Sequence, residues 1–358
     1  MRGMVDNLYV HFPFCRRKCS YCALYSRAGV AQAEREAYVR RLAQEIGSVV
    51  AVGALGSGVN QTLSDPNSTL PDSKLKTIYF GGGTPALCEL SVLAPALRPL
   101  CGDETEFTVE LHPLDVGEAK LQELKALGVN RISMGVQSLD DATLAAMGRG
   151  YTVDGAERAF ALVKKYFDNA GIDLIVGYPG DGEERRGGGG QWNLQRLGSW
   201  GLRHCSVYSL QNERGLDGVP DDDAVLDRLR HIAMGLAAMG LERYEISNYA
   251  VPGYECRHNL AVWRGEDYLG LGDGACGRLG LRRTKFGKVE WVTPEFDEKE
   301  RRLFRLRTCE GLDTAGHPEW TKCLGKCVKN GLLTQSGSVY RLTERGTEVC
   351  DSILAELV

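Results

Sequence analysis

The sequence predicts an α/β protein, built as an incomplete (β/α)6 TIM-like barrel with a small C-terminal winged-helix-like module. Two observations carry this prediction. Six short apolar segments alternate with helical stretches between residues 8 and 210, which indicates parallel strands joined by right-handed crossovers. Polar or glycine-rich motifs directly follow most of these segments, and binding sites in such barrels lie at the carboxyl ends of the strands.

Each predicted strand is an apolar run bounded by polar or turn-forming residues. The strands are predicted at 8–12, 77–80, 107–111, 131–136, 172–176 and 204–210. Helical periodicity predicts helices at 31–50, 118–127, 154–166 and near Trp192. Two stretches, 51–73 and 181–190, are rich in glycine and polar residues, so we expect them to be surface insertions.

The character of the chain changes beyond residue 295. The order of elements there is typical of a winged-helix module: helices at 298–306 and 317–330, a hairpin at 332–342, and a closing helix at 343–357. We therefore expect three regions, namely the partial barrel at 1–240, a connecting region at 241–295, and the winged-helix-like module at 296–358.

Bulk composition narrows the class of protein. The chain has 43 basic and 47 acidic residues, a net charge of −4, so charge gives no reason to expect nucleic-acid or membrane binding. Its 12 cysteines are spread thinly over 358 residues, which favours a reducing compartment over a disulfide scaffold. There is no apolar run of about 18 residues and no room for a leader before the first strand, so we expect a cytoplasmic protein without a membrane span.

Three cysteines follow the first strand with the spacing C-x3-C-x2-C: Cys15, Cys19 and Cys22. Three thiolates can hold three corners of a [4Fe-4S] cluster and leave the fourth iron open to another ligand. A zinc site completed by His11 is the alternative. The spacing favours the cluster, because zinc fingers usually bring two paired sets of ligands.

Further polar groups are predicted on the same rim. The glycine run at 81–83 lets a ligand approach the backbone and could present N–H groups to an anion. Tyr21 could pack near a purine, Glu110 and Gln137 could bind an ammonium or ribose, and Arg149 could pair with a carboxylate. Each of these residues alone is more simply a structural residue, and the prediction of a ligand site rests on their convergence.

The motifs together resemble those of radical S-adenosylmethionine (SAM) enzymes of the oxygen-independent coproporphyrinogen III oxidase group. The resemblance covers nearly the whole chain, in the same order along it. The matching segments are Tyr9-Val10-His11-Phe12-Pro13-Phe14-Cys15 with Cys19, Tyr21 and Cys22, then Gly81-Gly82-Gly83-Thr84-Pro85, Met134-Gly135-Val136-Gln137-Ser138, and Ile172-Asp173-Leu174-Ile175.

The resemblance implies a set of cofactors and roles. The three cysteines would hold a [4Fe-4S] cluster whose open iron binds SAM, and one electron would cleave SAM to give a 5′-deoxyadenosyl radical. The glycine run, Thr84 and Arg149 would hold the methionine part of SAM. The remainder of the cofactor would be surrounded by Tyr9, Tyr21, Glu110, Gln137 and Asp173.

Two features indicate a branch of this group. The oxidase carries another cysteine two residues after the third one, where this chain has Leu24. The segments 244–259 and 263–272 resemble the HemW branch, whose members bind haem and deliver it to other proteins. That branch usually reads H-N-x-x-Y-W, and here Val262 stands in place of the tyrosine. His258 is a candidate haem ligand, with a hydrogen bond that orients the loop as the equal alternative.

Three functions remain open from the sequence. The first is a HemW-like radical SAM protein that binds haem or a porphyrin, with a flavodoxin- or ferredoxin-type electron donor and haem-acceptor proteins as partners. The second is an oxidase that decarboxylates coproporphyrinogen III to protoporphyrinogen IX. The third is a non-catalytic zinc-binding module.

Overall fold

The computed structural model describes residues 5–55, 74–181 and 194–357. The predicted insertions lie outside the described residues at 56–73 and 182–190, whereas residues 51–55 continue the first helix. The strands are β1 Asn7–Phe12, β2 Phe14–Cys15, β3 Arg27–Ala28, β4 Thr77–Gly82, β5 Glu106–Leu111, β6 Arg131–Gln137, β7 Asn169–Val176, β8 His204–Ser209, β9 Glu242–Arg243, β10 Asn248–Ala250, β11 Tyr268–Leu271, β12 Cys276–Leu279, β13 Arg282–Lys285, β14 Lys288–Trp291, β15 Leu312–Asp313, β16 Leu333–Ser336 and β17 Val339–Leu342.

The helices cover the outer side of the sheet and build the C-terminal part. They are α1 Gln32–Leu55, α2 Ala94–Leu97, α3 Glu118–Leu127, α4 Asp141–Ala146, α5 Val153–Tyr166, α6 Leu194–Gly198, α7 Asp222–Ala238, α8 Arg257–Trp263, α9 Pro294–Phe304, α10 Thr321–Lys329, α11 Glu344–Glu348 and α12 Cys350–Ala355. Short 3-10 turns lie at Pro85–Leu87, Leu90–Leu93, Pro113–Asp115, Arg305–Arg307 and Pro318–Trp320. None of the helices in the described part of the chain is both long and apolar enough to cross a membrane.

The six predicted parallel strands form the centre of one open sheet. Strands β1, β4, β5, β6, β7 and β8 lie side by side in that order, and every neighbouring pair is parallel. Their outward faces are apolar: the ring of Phe80 packs against Phe12 and Phe107 at centroid distances of 5.1 and 4.9 Å. This buried layer under the helices confirms the α/β fold with an incomplete barrel.

The sheet extends beyond the six strands on both sides. Strand β11 adds to β1 in parallel, and β12, β13 and β14 follow it as an antiparallel meander. Strands β10 and β9 add to β8 in antiparallel fashion at the other edge. The predicted connecting region at 241–295 therefore supplies six strands, which the sequence reasoning missed. The predicted boundaries at 240 and 295 stay a prediction.

The inward face of the sheet is polar, which is unusual for the inside of a barrel. Glu110 and Asp173 lie toward the carboxyl ends of β5 and β7, and both are half-buried, as is Tyr79 at the level of Thr108. Nearer the amino ends, Arg131 and Thr108 are completely enclosed. The inside of the sheet thus has an accessible polar upper part and a buried polar floor.

The C-terminal part has its own apolar core, made of residues such as Leu306, Trp320, Leu324 and Ile353. Its elements follow the predicted order of helix, helix, hairpin and helix, with β15 added as a third strand beside β17. The helix α9 also packs on the main sheet, because Asp297 pairs with Arg278 and Arg283. The assignment of this part as a winged helix stays a prediction.

Candidate cluster and cofactor site

The three cysteines lie on a loop at the carboxyl rim of the sheet. Cys15 belongs to β2, which pairs with β3 on the far side of the loop. The loop turns tightly between the other two, where the Cys22 amide donates to the Cys19 carbonyl at 3.3 Å. All three thiols are partly exposed and none forms a disulfide. Burial raises the pKa of the Cys15 thiol, against the effect of hydrogen bonds with Ser26 and Thr84.

A buried arginine connects this loop to the sheet. Nη1 of Arg149 donates to Cys19 Sγ at 3.4 Å and to the Tyr21 hydroxyl at 3.3 Å, while Nη2 donates to the Gly135 carbonyl at 2.6 Å. Burial works against the charge of Arg149, but Tyr151, Tyr21 and Cys19 raise its pKa. Arg149 thus places a buried positive charge directly beside one of the three candidate iron ligands.

The zinc alternative finds no support in the position of His11. Its Nδ1 is 3.0 Å from the Tyr9 hydroxyl and its Nε2 is 2.8 Å from the Tyr25 carbonyl, so both ring nitrogens have partners. Among the described residues, no three His, Cys, Asp or Glu side chains, those of Cys15, Cys19 and Cys22 included, are arranged to hold a single metal ion. The donor set of three partly exposed thiols beside a cation therefore fits an anionic cluster better than a mononuclear zinc site.

The glycine run packs closely against the strand that leads into the cysteine loop. A Cβ on Gly82 would lie 2.5 Å from the His11 ring, and one on Gly83 would lie 2.5 Å from the Phe14 carbonyl oxygen. Gly82 also has a φ of 106°, in the left-handed region. Glycine is required at both positions, since any side chain would push β4 away from the loop.

The backbone amides at the end of the glycine run have partners within the protein. The amide of Gly82 donates to Glu110 Oε2 at 3.1 Å, that of Gly83 to the Phe12 carbonyl at 2.7 Å, and that of Thr84 to the Phe14 carbonyl at 2.7 Å. These three N–H groups therefore already have partners within the protein. The run packs closely against the neighbouring strand, and the role of Gly81, Gly82 and Gly83 in holding a ligand stays a prediction.

Glu110 lies at the centre of the accessible polar surface. Its carboxylate accepts from the Tyr79 hydroxyl at 2.8 Å and from the Gly82 amide. Burial, followed by the negative charge of Asp173, raises the pKa of Glu110 to about 7. Glu110 therefore gains or loses its proton close to neutral pH.

Asp173 and Gln137 occupy the next two strands. Asp173 accepts from the Ser133 hydroxyl at 2.9 Å, and burial raises its pKa. Gln137 lies at a β-bulge at the end of β6, with a φ of 75°, and its side-chain nitrogen lies over Gly135. The bulge turns the Gln137 side chain back toward the rim that the cysteine loop also borders.

Tyr9 and His258 meet deeper inside the sheet. The ring of His258 lies 5.2 Å from that of Tyr79 and 6.3 Å from that of Tyr9 between centroids, and its Nδ1 is 2.7 Å from Thr77 Oγ1. The Thr77 hydroxyl donates its one hydrogen to Asn7, so Nδ1 of His258 must carry a hydrogen and donate to Thr77.

This environment favours a structural role for His258. Its Nε2 keeps a lone pair that could bind iron. However, the ring is only 5% exposed, and the rings of Tyr9, Tyr79 and Tyr268 surround it. Burial and the charge of Arg131 lower its pKa to about 3, so it stays neutral. Haem ligation by His258 stays a prediction, and it requires a different arrangement of these rings.

Several residues of the site were missed by sequence reasoning. The Tyr178 hydroxyl is 2.9 Å from Ser20 Oγ and donates to the Ala146 carbonyl, which ties the cysteine loop to α4. Tyr79 positions Glu110, and Tyr151 accepts from Arg149 Nε at 2.9 Å. Alternation along β4 could have indicated Tyr79, because it shares a face with Gly81.

Comparison with known proteins agrees with this geometry. The radical SAM superfamily model matches residues 9–187. The heme chaperone HemW of Escherichia coli is 30% identical, over 97% of each chain, and that of Bacillus subtilis is 29% identical, over 99% of this chain and 100% of its own. Mouse radical S-adenosyl methionine domain-containing protein 1, mitochondrial, is 31% identical, over 83% of this chain and 67% of its own.

A solved structure supports the fold. The coproporphyrinogen III oxidase HemN of Escherichia coli superposes with a TM-score of 0.79 at 20% identity, covering 100% of this chain and 91% of that one. A three-cysteine loop at the carboxyl rim of such a sheet defines a radical SAM protein. Within the radical SAM superfamily, this chain belongs to the HemW family. The resemblance inferred from the motifs is thereby confirmed.

Gly83→Ala is expected to damage the cysteine loop. The added methyl would clash with the backbone oxygens of Phe14 and Phe12, and overpacking of this kind costs about 2 kcal/mol. We expect a lower midpoint of thermal unfolding and reduced iron uptake. Gly47→Ala is the control: it lies in α1 with no atom within 4 Å of the new methyl, so it should stabilise the protein slightly. Equal effects of the two variants would contradict the packing argument.

Glu110→Gln is expected to change how stability depends on pH. The pKa of Glu110 is higher in the folded than in the unfolded chain, so its ionisation destabilises the fold as the pH rises from about 5 to 8. Glutamine does not ionise, and the stability of the variant relative to the wild type should rise over this range by up to about 3 kcal/mol. Urea unfolding at several pH values measures the difference. A difference that stays constant with pH would refute the raised pKa.

His258→Ala distinguishes the two roles of this residue. Loss of a buried ring and of the hydrogen bond to Thr77 should lower the free energy of unfolding by about 2–4 kcal/mol. We expect haem titration to keep its Soret band, because the ring is enclosed. His231→Ala, at an exposed position, is the control and should change neither. Loss of the Soret band at unchanged stability would establish His258 as the ligand.

Proposed function

We propose that this chain binds a [4Fe-4S] cluster through Cys15, Cys19 and Cys22, holds SAM beside it, and binds haem for delivery to other proteins. The observation that carries the cluster assignment is the contact of Arg149 with Cys19 on a loop of three partly exposed thiols. When bound, such a cluster supplies an open iron for a chelating ligand and a route for one electron.

The side chains around the loop suit SAM as that ligand. Glu110 and Asp173 are half-buried carboxylates on the inward face, so they can accept hydrogen bonds from an ammonium or a ribose hydroxyl. Arg149 fixes the orientation of the loop and offers positive charge to a carboxylate. Tyr9, Gln137, Thr84 and Tyr21 complete the proposed set around the cofactor. The glycine run would leave room for it.

Binding of haem is proposed from the relatives. The Escherichia coli and Bacillus subtilis proteins that carry the name heme chaperone align with this chain over nearly the full length of each. The position after the cysteine loop where the oxidase group has a cysteine is Leu24, whose side chain is 57% exposed. We further propose an electron-donor protein and haem acceptors as partners, and a cytoplasmic location.

The test uses the full chain, reconstituted anaerobically with iron and sulfide. The wild type should take up about four irons, and serine variants of Cys15, Cys19 or Cys22 should lose them. Cys309→Ser is the control, because Cys309 is exposed and outside the loop. Uptake of one zinc in place of iron would overturn the cluster assignment.

Haem delivery and coproporphyrinogen III oxidation are distinguished by two measurements on the same sample. We expect haem titration to give a Soret band and coproporphyrinogen III, supplied with reductant and SAM, to remain unconverted. A cluster-loaded protein without a Soret band would contradict haem delivery. Formation of protoporphyrinogen IX would instead support the oxidase function.

A further inference from the structure

Three large apolar side chains are exposed together on the rim that carries the cysteine loop. Leu24 is 57%, Tyr25 44% and Phe286 55% exposed. The ring centroids of Tyr25 and Phe286 are 6.3 Å apart, with 38° between the ring planes. Exposed apolar residues are common singly, but a contiguous group at a functional rim indicates a binding surface. We call this group, with the two lysines described below, the rim patch.

The backbone holds Phe286 in a strained position. Lys285 and Lys288 are paired across β13 and β14, so Phe286 and Gly287 form a two-residue turn. Both have positive φ, 50° and 76°. Turns of this kind strongly prefer Asn-Gly, because a bulky side chain is disfavoured in the left-handed region. Asparagine would fit the backbone of this turn better, so a strained phenylalanine that is still 55% exposed points to a ligand.

The charges next to the rings are positive. Lys285 Nζ lies 5.7 Å from the Phe286 ring centroid, and Lys288 is directly opposite Lys285 on the neighbouring strand. Both lysines are exposed, and neither forms an ion pair with another residue of the described part of the chain. Two free ammonium groups beside two aromatic faces suit a flat apolar molecule that carries carboxylates.

We propose that the rim patch binds the porphyrin of haem. One face of the macrocycle packs on Tyr25, Phe286 and Leu24, and its propionates pair with Lys285 and Lys288. This inference rests on the proposed function and names the surface that function would use. An open surface also suits a protein that must release its ligand, whereas the enclosed His258 would have to be uncovered for each transfer.

The contacts in this proposal are to the ring and the carboxylates, not to iron. Iron-free protoporphyrin IX should therefore bind to the same surface as haem.

An acidic electron-carrier protein is the rival occupant, because the patch adjoins the cysteine loop and is basic. The two rings beside two ammonium groups favour the small ligand, and the experiment below separates the two.

The decisive variant is Phe286→Asn. Asparagine suits the turn better than phenylalanine, so the variant should fold with equal or higher thermal stability. We expect it to bind both haem and protoporphyrin IX about ten-fold more weakly, by absorbance and by fluorescence anisotropy. Lys285→Glu with Lys288→Glu should weaken both ligands further and reverse the dependence of binding on salt, because added salt then screens a repulsion between carboxylates. Phe296→Ala is the matched control: this phenylalanine is 48% exposed at the start of α9, beyond the opposite end of β14, and its loss should change nothing.

The outcomes separate this inference from the function on which it rests. If the cluster-loaded wild type binds no haem, the proposed function fails, and the inference fails with it. If haem binds and Phe286→Asn binds it equally well, the function stands and the rim patch is refuted. If Phe286→Asn keeps porphyrin binding but slows reduction of the cluster by a reduced ferredoxin, the patch is a protein-docking surface and the proposal is overturned.

Discussion

The close approach of strand β4 to the segment that carries the cysteines determines the geometry of the rest of the site. Gly83 lies so close to the Phe12 and Phe14 carbonyls that its own amide bonds to the first and leaves no room for a side chain. The next residue, Thr84, bonds to the second. These contacts fix the start of the loop relative to the sheet. The positions of Cys15 and of the polar groups on β4 and β5 are therefore fixed relative to each other.

A second constraint is the polarity of the inward face. A barrel interior filled with apolar side chains would be stable but would leave no place for a charged ligand. Here Glu110 and Asp173 are both half-buried on the inward face, burial raises the pKa of both, and the negative charge of Asp173 raises the pKa of Glu110 further. A bound cation or hydroxyl group would relieve the free-energy cost of ionising them. The same carboxylates that destabilise the protein alone would thereby favour a positively charged ligand.

Sequence patterns predicted the parts of the fold that depend on local apolar runs. The six parallel strands are such runs, because helices bury at least the outer face of each strand. The strands β12 to β14 were missed, since segments such as Arg282–Lys285 are charged and contain no apolar run. Their pairing depends on the edge that β11 offers, which is a non-local interaction.

The site residues divide in the same way, into those that a local motif identifies and those whose role depends on contacts distant in the sequence. Motifs identified the cysteine loop, Glu110 and Arg149, but a motif contains no information about which hydrogen bonds are already made. The amides of the glycine run and the ring of His258 both have partners that lie far away in the sequence. For that reason a motif alone could not show that the Gly82 and Gly83 amides are bonded within the protein, or that the candidate haem ligand His258 lies within the core.

The anchoring of the cysteine loop also shows how far control of this loop extends beyond the motif. β2 pairs with β3, Ser20 contacts Tyr178, and Arg149 contacts Cys19. Tyr178 and Arg149 lie 158 and 130 residues along the chain from their partners in the loop. The arrangement of the three thiols is therefore a property of the folded sheet, and a peptide that carried the cysteine motif alone would lack these contacts.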